Sequence, residues 1–142
     1  MNELENLYSL NLQDHLQSKM DNEFLKQIEK AKKHLVIVEG KKDRTALENL
    51  GFTNIFVINS SGKSFPEKIE EIQNMLGKND KASILTDLDK KGKELHDILK
   101  SEFSKLGVKT DSSFREFLKY KDISHIEGLD TFIKNKAQNP IW

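Results

Sequence analysis

The sequence SILTDLDKKG, residues 83–92, passes from a buried strand to a charged turn within ten residues. Its apolar first half is typical of a strand inside a parallel sheet, and we predict this strand over Ala82–Thr86. Two aspartates one residue apart, Asp87 and Asp89, come next, and a basic turn with Gly92 leads into a helix. Open α/β sheets bind ligands at the carboxyl ends of their strands. The two carboxylates are therefore expected at the ligand-binding edge of a sheet.

A second stretch, HLVIVEG at residues 34–40, has the same design. Its apolar run predicts a strand over Leu35–Val38, and Glu39 and Gly40 follow where that strand ends. If this strand is central, with the second strand on one side and the third on the other, the strand order reverses between the first and third strands. Glu39 is then expected to meet Asp87 and Asp89 in space.

The rest of the chain alternates predicted helices with predicted strands, which indicates βαβ units. The fold class is α/β, with a Rossmann-like, mainly parallel sheet of about four strands flanked by helices. The other predicted elements are a helix over Arg44–Leu50 capped by Asp43 and ended by Gly51, a strand over Asn54–Ile58, a helix over Pro66–Leu76 capped by Ser64, a helix over Gly92–Leu106 ended by Gly107, a short strand over Val108–Thr110, and a helix over Phe114–Tyr120 capped by Ser112 or Ser113.

The chain is predicted to have three parts. A helical extension covers residues 1–33, the α/β domain covers residues 34–128, and a helical turn and tail cover residues 129–142. In the extension, apolar residues recur at steps of three to five, which predicts two helices that break near residues 21–22. These helices are expected to pack on the domain, or to contact a second copy or a protein partner.

Composition limits the classes of function. The chain has 142 residues, 23 basic and 23 acidic side chains, and no cysteine. A length of this size suits one domain, and the zero net charge means that any basic nucleic-acid surface must be local. Without cysteine there is neither a disulfide nor a thiolate metal site. The first residues lack the pattern of a signal peptide, and no apolar run is long enough to span a membrane, so we expect a cytoplasmic protein.

The clustered acids indicate metal-assisted phosphoryl transfer. Side chains two apart on an extended chain point to the same side, and carboxylate oxygens are the ligands that Mg²⁺ prefers, with Mn²⁺ as an alternative. Glu39 is expected to complete the metal site or to act as general acid/base. Asp43 and Glu127 are possible additional ligands. Basic side chains on the loops at the same edge are expected to hold a phosphodiester backbone, namely Lys41, Lys42, Lys63, Lys90 and Lys91.

Three motifs together resemble the Toprim domain of topoisomerases, bacterial primases and 5S ribosomal RNA maturation nucleases. They are VEGKKD at residues 38–43, NSSG at residues 59–62 and TDLDKKG at residues 86–92. The resemblance implies a Rossmann-like fold, with Glu39 as the family's general acid/base and Asp87 and Asp89 as its magnesium ligands. It also implies that Gly40, Gly62 and Gly92 serve as turn glycines.

The resemblance leaves two classes of function. Topoisomerases use a tyrosine outside the Toprim domain, and here Tyr8 and Tyr120 have no accompanying domain. The first expectation is therefore a stand-alone, magnesium-dependent nuclease that acts on RNA or DNA, in RNA processing or DNA repair. The alternative is a Toprim module that binds nucleic acid or protein within a larger complex and cuts nothing.

Overall fold

A computed structural model of the protein describes residues 22–60 and 62–138. The predicted first helix of the N-terminal extension and the end of the tail lie outside these residues. The described elements are α1 (residues 22–31), β1 (Leu35–Val38), α2 (Lys41–Asn49), β2 (Ile55–Val57), α3 (Phe65–Met75), β3 (Lys81–Ile84), α4 (Lys90–Lys105), β4 (Lys109–Thr110), α5 (Ser113–Tyr120) and α6 (Leu129–Gln138).

The sheet has four strands in the order β2-β1-β3-β4, and all neighbouring strands run parallel. The central strand is β1: its Ile37 is in register with Phe56 of β2 on one side and with Ile84 of β3 on the other. This arrangement confirms the predicted Rossmann-like α/β fold flanked by helices. It also places the reversal of strand order between β1 and β3, as expected from the sequence.

The two faces of the sheet are covered by different helices. Because side chains alternate along a strand, Val36 and Val38 of β1 face one cluster of buried residues, and Leu35 and Ile37 face the other. The first cluster includes residues of α1, α2, α5 and α6, and the second includes residues of α3 and α4. Both faces of β1 are buried, which explains its uninterrupted apolar sequence.

Helix α2 begins earlier than predicted. Gly40 occupies the N-cap position, and the helix starts at Lys41. Asp43 lies inside the first turn, and its carboxylate Oδ2 accepts a 3.0 Å hydrogen bond from the N–H of Gly40. The prediction of Asp43 as the N-cap residue was therefore wrong, because an acidic side chain at the third helical position can reach back to the cap.

Helix α4 shows the same kind of difference at its start. Asp89 is the N-cap residue, and its Oδ1 accepts a 2.8 Å hydrogen bond from the N–H of Gly92. The helix thus begins at Lys90 and includes Gly92, which was predicted to be its first residue. At the far ends of α2 and α4, Gly51 and Gly107 have φ values of 91° and 72°, as expected for glycines that end helices.

The C-terminal segment contributes to the core. Leu129, at the start of α6, is buried in the first cluster. The side-chain amide of Asn49 in α2 also donates a 2.8 Å hydrogen bond to Asp130 Oδ2. Helix α6 therefore packs against α2 on the same face of the sheet as α1 and α5. Among the described residues, no helix is both long and apolar enough to cross a membrane.

Candidate metal and nucleic-acid site

The ends of β1 and β3 bring Glu39 and Asp87 together. The N–H of Asp87 donates a 3.0 Å hydrogen bond to Glu39 Oε1, across 48 residues of sequence. Burial raises the pKa of Glu39, and the negative charges of Asp87, Asp43 and Asp89 raise it further, although the hydrogen bond from Asp87 opposes them. Glu39 is thus a carboxyl group that holds its proton more strongly than an exposed glutamate.

The loop that contains the two aspartates is fastened to a later segment of the chain, residues 124–126. The N–H of Leu88 donates a 2.7 Å hydrogen bond to the carbonyl of Ser124, and the N–H of Ile126 donates a 2.9 Å hydrogen bond to Asp87 Oδ1. Between the two aspartates, the side chain of Leu88 packs against the first cluster of buried residues. The loop is therefore held by its middle residue.

One carboxylate oxygen of Asp89 accepts a hydrogen bond from the main chain, and the other lies near a histidine. While its Oδ1 caps α4, its Oδ2 lies 3.5 Å from Nε2 of His125. The side chains of Asp89 and His125 are 46% and 58% exposed. One ligand atom from each of Asp87, Asp89 and His125 can be chosen so that all three lie within 4.8 Å of one another. This spacing is suitable for a single metal ion, and the donor set of two carboxylates and an imidazole fits a divalent cation.

Gly92 makes the closest approach at the site. A Cβ atom at this position would lie 2.0 Å from the carbonyl oxygen of Asp87. The hydroxyl of Thr86 donates a 2.7 Å hydrogen bond to the carbonyl oxygen of Gly92, so the first turn of α4 packs directly on the loop. By contrast, a Cβ at Gly40 would make only an ordinary contact, and at Gly62 it would meet nothing within 4 Å. Of the three turn glycines, only Gly92 is required by close packing.

Arg115 is hydrogen-bonded to the main chain of the acidic loop, a role that was not predicted from the sequence. This residue of α5 is 6% exposed, and its guanidinium donates to the carbonyl oxygens of Thr86 and Asp87 and to the hydroxyl of Thr86. Burial lowers the pKa of Arg115, although nearby carboxylates oppose this shift. The sequence contained one indication of this role: Arg115 lies three residues before Leu118, and side chains with this spacing share a helix face.

The two possible additional acidic ligands have different surroundings. Asp43 is buried, and burial raises its pKa while hydrogen bonds from the main chain of Gly40 and Glu127 lower it. The carboxylate of Glu127 lies 3.9 Å from Nζ of Lys42 at an exposed position. The group of ligand atoms within 4.8 Å contains His125 and neither of these two acids. The structure therefore brings Asp87 and Asp89 together with a histidine that the sequence reasoning had left without a role.

The predicted basic residues are distributed around two helix starts and the loop that follows β2. Lys41 and Lys42 lie in the first turn of α2, and Lys90 and Lys91 lie in the first turn of α4; all four are exposed. The N-termini of both helices follow the strands that end at Glu39 and Asp87, so their dipoles favour an anion at this edge. Lys63 instead pairs with Glu71 of α3 at 2.9 Å.

Comparisons with known proteins match this chain to a family model and to two relatives. The Toprim domain model matches residues 34–123. A UPF0292 protein of Methanosarcina barkeri is 33% identical over 104 residues, which cover 70% of this chain and 68% of that protein. A UPF0292 protein of Pyrococcus horikoshii is 37% identical over 97 residues, which cover 66% of this chain and 70% of the relative.

The chain is also similar to a solved structure. A protein from Aquifex aeolicus superposes with a TM-score of 0.62 at 31% sequence identity, over 73% of this chain and 95% of that one. The match to the domain model covers the strands, the acidic loop and Arg115. The chain belongs to the Toprim family.

Proposed function

We propose that this protein cleaves phosphodiester bonds of nucleic acid, with Glu39 as general acid/base and with a divalent cation, Mg²⁺ or Mn²⁺, held by Asp87 and Asp89. Membership of the Toprim family supports a metal-binding role connected with nucleic acid. The observation on which the proposal rests is the 3.0 Å hydrogen bond from the N–H of Asp87 to Glu39 Oε1. It fixes a group suited to proton transfer beside two carboxylates suited to a cation.

Glu39 has the properties of a proton-transfer residue. Its Oε1 is occupied by the N–H of Asp87, so the exchange of a proton with water or with a leaving oxygen falls to Oε2. Burial and the neighbouring acids raise its pKa, which makes the carboxylate a stronger base than an exposed glutamate. A positive charge bound at Asp87 and Asp89 would act against this shift, because it stabilises the ionised form of Glu39.

The two aspartates are each anchored through one oxygen. Asp87 Oδ1 accepts from Ile126 N–H, and Asp89 Oδ1 accepts from Gly92 N–H. The second oxygen of each carboxylate is thus free of these bonds and can serve as a ligand without loss of the anchor. A divalent cation bound there would neutralise phosphate charge and lower the pKa of a bound water.

The surroundings of the site suit a polymer backbone. Small-molecule sites usually enclose most of their ligand, whereas Asp89 and His125 are about half exposed at the edge of the sheet. The two helix N-termini and the exposed Lys41, Lys42, Lys90 and Lys91 provide main-chain donors and positive charge for phosphates on either side of the acids. We propose RNA or DNA as the substrate, and RNA processing or DNA repair in the cytoplasm as the setting.

The test is cleavage of a panel that contains a structured ribosomal RNA precursor and plasmid DNA, with Mg²⁺ or Mn²⁺ and with a chelator. We expect cleavage only with metal. Glu39→Gln keeps an acceptor for the N–H of Asp87 but cannot transfer a proton, so the rate is expected to fall at least about 100-fold. Asp87→Asn is expected to weaken metal binding by at least about tenfold. Glu70→Gln, at an exposed position of α3, is the matched control.

The outcomes separate the two classes of function. Metal-dependent cleavage that is lost in both variants and retained in Glu70→Gln supports the nuclease, and the substrate that is cut identifies its class. If the wild-type protein binds nucleic acid with unchanged strength in the chelator and cuts no member of the panel under any condition, the nuclease proposal fails. That result would favour a Toprim module that only binds.

A further inference from the structure

The position of His125 is set by the acidic loop itself. The main chain on either side of it is hydrogen-bonded to that loop: the carbonyl of Ser124 accepts from Leu88 N–H, and the N–H of Ile126 donates to the Asp87 side-chain oxygen Oδ1. Ile126 is also buried in the first cluster. Because both of its neighbours are held in this way, the main chain of His125 has little freedom to move away from the acidic loop, even though its side chain is exposed.

Both ring nitrogens of the His125 imidazole have a polar neighbour, which fixes the orientation of the ring. The hydroxyl of Ser124 lies 2.9 Å from Nδ1, and Nε2 lies 3.5 Å from Asp89 Oδ2. Metal-bound histidines commonly have one ring nitrogen hydrogen-bonded to a polar neighbour, which orients the other nitrogen toward the ion. Two ligands of one octahedral ion, each about 2.1 Å from the metal, lie about 3 to 4 Å apart. The separation between Nε2 and Oδ2 is within this range.

We propose that His125 supplies a nitrogen ligand to the cation held by Asp87 and Asp89, and that this ligand makes the centre prefer Mn²⁺ to Mg²⁺. The inference rests on the metal site of the proposed function and specifies its metal. Mg²⁺ strongly prefers oxygen, whereas imidazole is a good ligand for first-row transition metals. Replacement of one oxygen donor by Nε2 therefore favours Mn²⁺ over Mg²⁺.

The competing explanation is an ion pair between His125 and Asp89. Both side chains are about half exposed, and ion pairs between exposed groups contribute little to stability. Such an ion pair involves Asp89 alone, whereas a cation would also engage Asp87, a ligand atom of which lies within the same 4.8 Å. The two explanations differ in what they predict once the metal is added.

The direct test is pulsed electron paramagnetic resonance of the purified protein loaded with Mn²⁺ alone, which detects coupling between the bound ion and ¹⁴N. We expect nitrogen coupling in the wild-type protein and none in His125→Ala. His96→Gln, which changes a histidine of α4 outside the ligand group, is the matched control and should keep the coupling.

Titration calorimetry of each metal provides the second measurement. His125→Ala is expected to weaken Mn²⁺ binding by about tenfold or more and to change Mg²⁺ binding by less than about threefold. His125→Asp returns an oxygen donor to the same position, so it should bind Mg²⁺ more tightly than His125→Ala does. Far-UV circular dichroism and the Tm of each variant show whether it is folded.

The possible results distinguish this inference from the function on which it rests. The role of His125 is overturned if Mn²⁺ binds without nitrogen coupling and only Asp87→Asn weakens its binding. That result would leave the metal site of the proposed function intact. If neither metal binds the wild-type protein at millimolar concentration, both the inference and the proposed function fail. Nitrogen coupling together with a loss of Mn²⁺ preference in His125→Ala establishes the ligand.

Discussion

The guanidinium of Arg115 donates a 3.0 Å hydrogen bond to the carbonyl oxygen of Asp87, 28 residues earlier in the chain. The same guanidinium also contacts the carbonyl and hydroxyl oxygens of Thr86. The two carbonyl groups lie where β3 has ended and α4 has not begun, so they take no part in the regular hydrogen bonding of either element. A buried arginine therefore fixes the main chain that presents the first aspartate of the site.

Replacement of Arg115 should affect stability and metal binding together. Arg115→Met leaves buried carbonyl oxygens without donors, and we expect a loss of about 2–4 kcal/mol in the free energy of unfolding. Arg115→Lys keeps a donor but cannot reach Thr86 and Asp87 at once, so its loss should be smaller. Urea denaturation and Mn²⁺ titration measure the two effects. Lys119→Met, at an exposed position of the same helix, should change neither stability nor Mn²⁺ affinity. Equal effects of Arg115→Met and Lys119→Met would contradict the supporting role of Arg115.

Substitution of Gly92 should disrupt the acidic loop. A Cβ atom at this position would lie 2.0 Å from the carbonyl oxygen of Asp87, and the main chain of neither α4 nor the loop can move without loss of other hydrogen bonds. We expect Gly92→Ala to lower the free energy of unfolding by about 1–3 kcal/mol or more and to weaken metal binding. Gly62→Ala is the control, because its Cβ would contact nothing within 4 Å. Thermal denaturation compares Gly92→Ala with Gly62→Ala. Equal Tm values of the two variants would show that the predicted clash is absent.

Asp43 should prove structural and not a metal ligand. Its buried carboxylate accepts a hydrogen bond from the N–H of Gly40 and is repelled by Asp87 and Glu127. Asp43→Asn removes the repulsion and retains one acceptor, so we expect a stability change within about 1 kcal/mol. Metal affinity should change less than about threefold, against at least about tenfold for Asp87→Asn. Calorimetric titration with Mn²⁺ measures the metal affinity of Asp43→Asn and of Asp87→Asn. Similar losses of affinity in the two variants would identify Asp43 as a ligand.

The pair of Asp111 and His34 should make stability depend on acid pH. The two side chains lie 3.1 Å apart. Burial would raise the pKa of Asp111, but hydrogen bonds from Ser113 and His34 outweigh it and lower the pKa from 3.8 to about 2. A lowered carboxyl pKa contributes stability above the unfolded value, and this contribution is lost as the pH falls from about 4 to about 2.

We therefore expect Asp111→Asn to be about 1–2 kcal/mol less stable than the wild-type protein at pH 7. The difference should shrink below pH 4 and be small at pH 2. Denaturation by urea across this range measures it. Glu70→Gln, at an exposed position, should show no such convergence with the wild-type protein. A difference for Asp111→Asn that stayed constant from pH 7 to pH 2 would show that the carboxyl group titrates normally.

The sequence predicted the sheet because a continuous apolar run marks a buried parallel strand, and β1 consists of such a run, while the last three residues of β3 are also buried. Once β1 was placed between β2 and β3, the meeting of Glu39 with Asp87 followed from the strand order. The starts of α2 and α4 were less predictable. Asp43 and Asp89 both satisfy main-chain N–H groups, but one does so from inside the helix and the other from the cap.

Arg115 and His125 could not be placed in the site from the sequence. Both lie after β4, and the local pattern of a helix or loop does not specify which strand end it will contact. Arg115 appears in the sequence as one of three charged residues of α5, and His125 as one polar residue in a short loop. Their roles depend on tertiary hydrogen bonds to Thr86, Asp87 and Leu88, and the spacing of Arg115 from Leu118 indicates a buried helix face without specifying these partners.

The pairing of β1 with β3 has a consequence for folding. The hydrogen bond between Glu39 and Asp87 closes a loop of 48 residues, and the contact from Ile126 to Asp87 closes another of 39. Contacts of this length form late, because the entropy of closing a long loop is lost before the contact is gained. A nascent chain thus completes the candidate cation site only when the segment around Ile126 has packed against the acidic loop. A bound cation would then stabilise the completed fold over intermediates that lack the site, by a free energy that grows with the logarithm of the cation concentration relative to Kd.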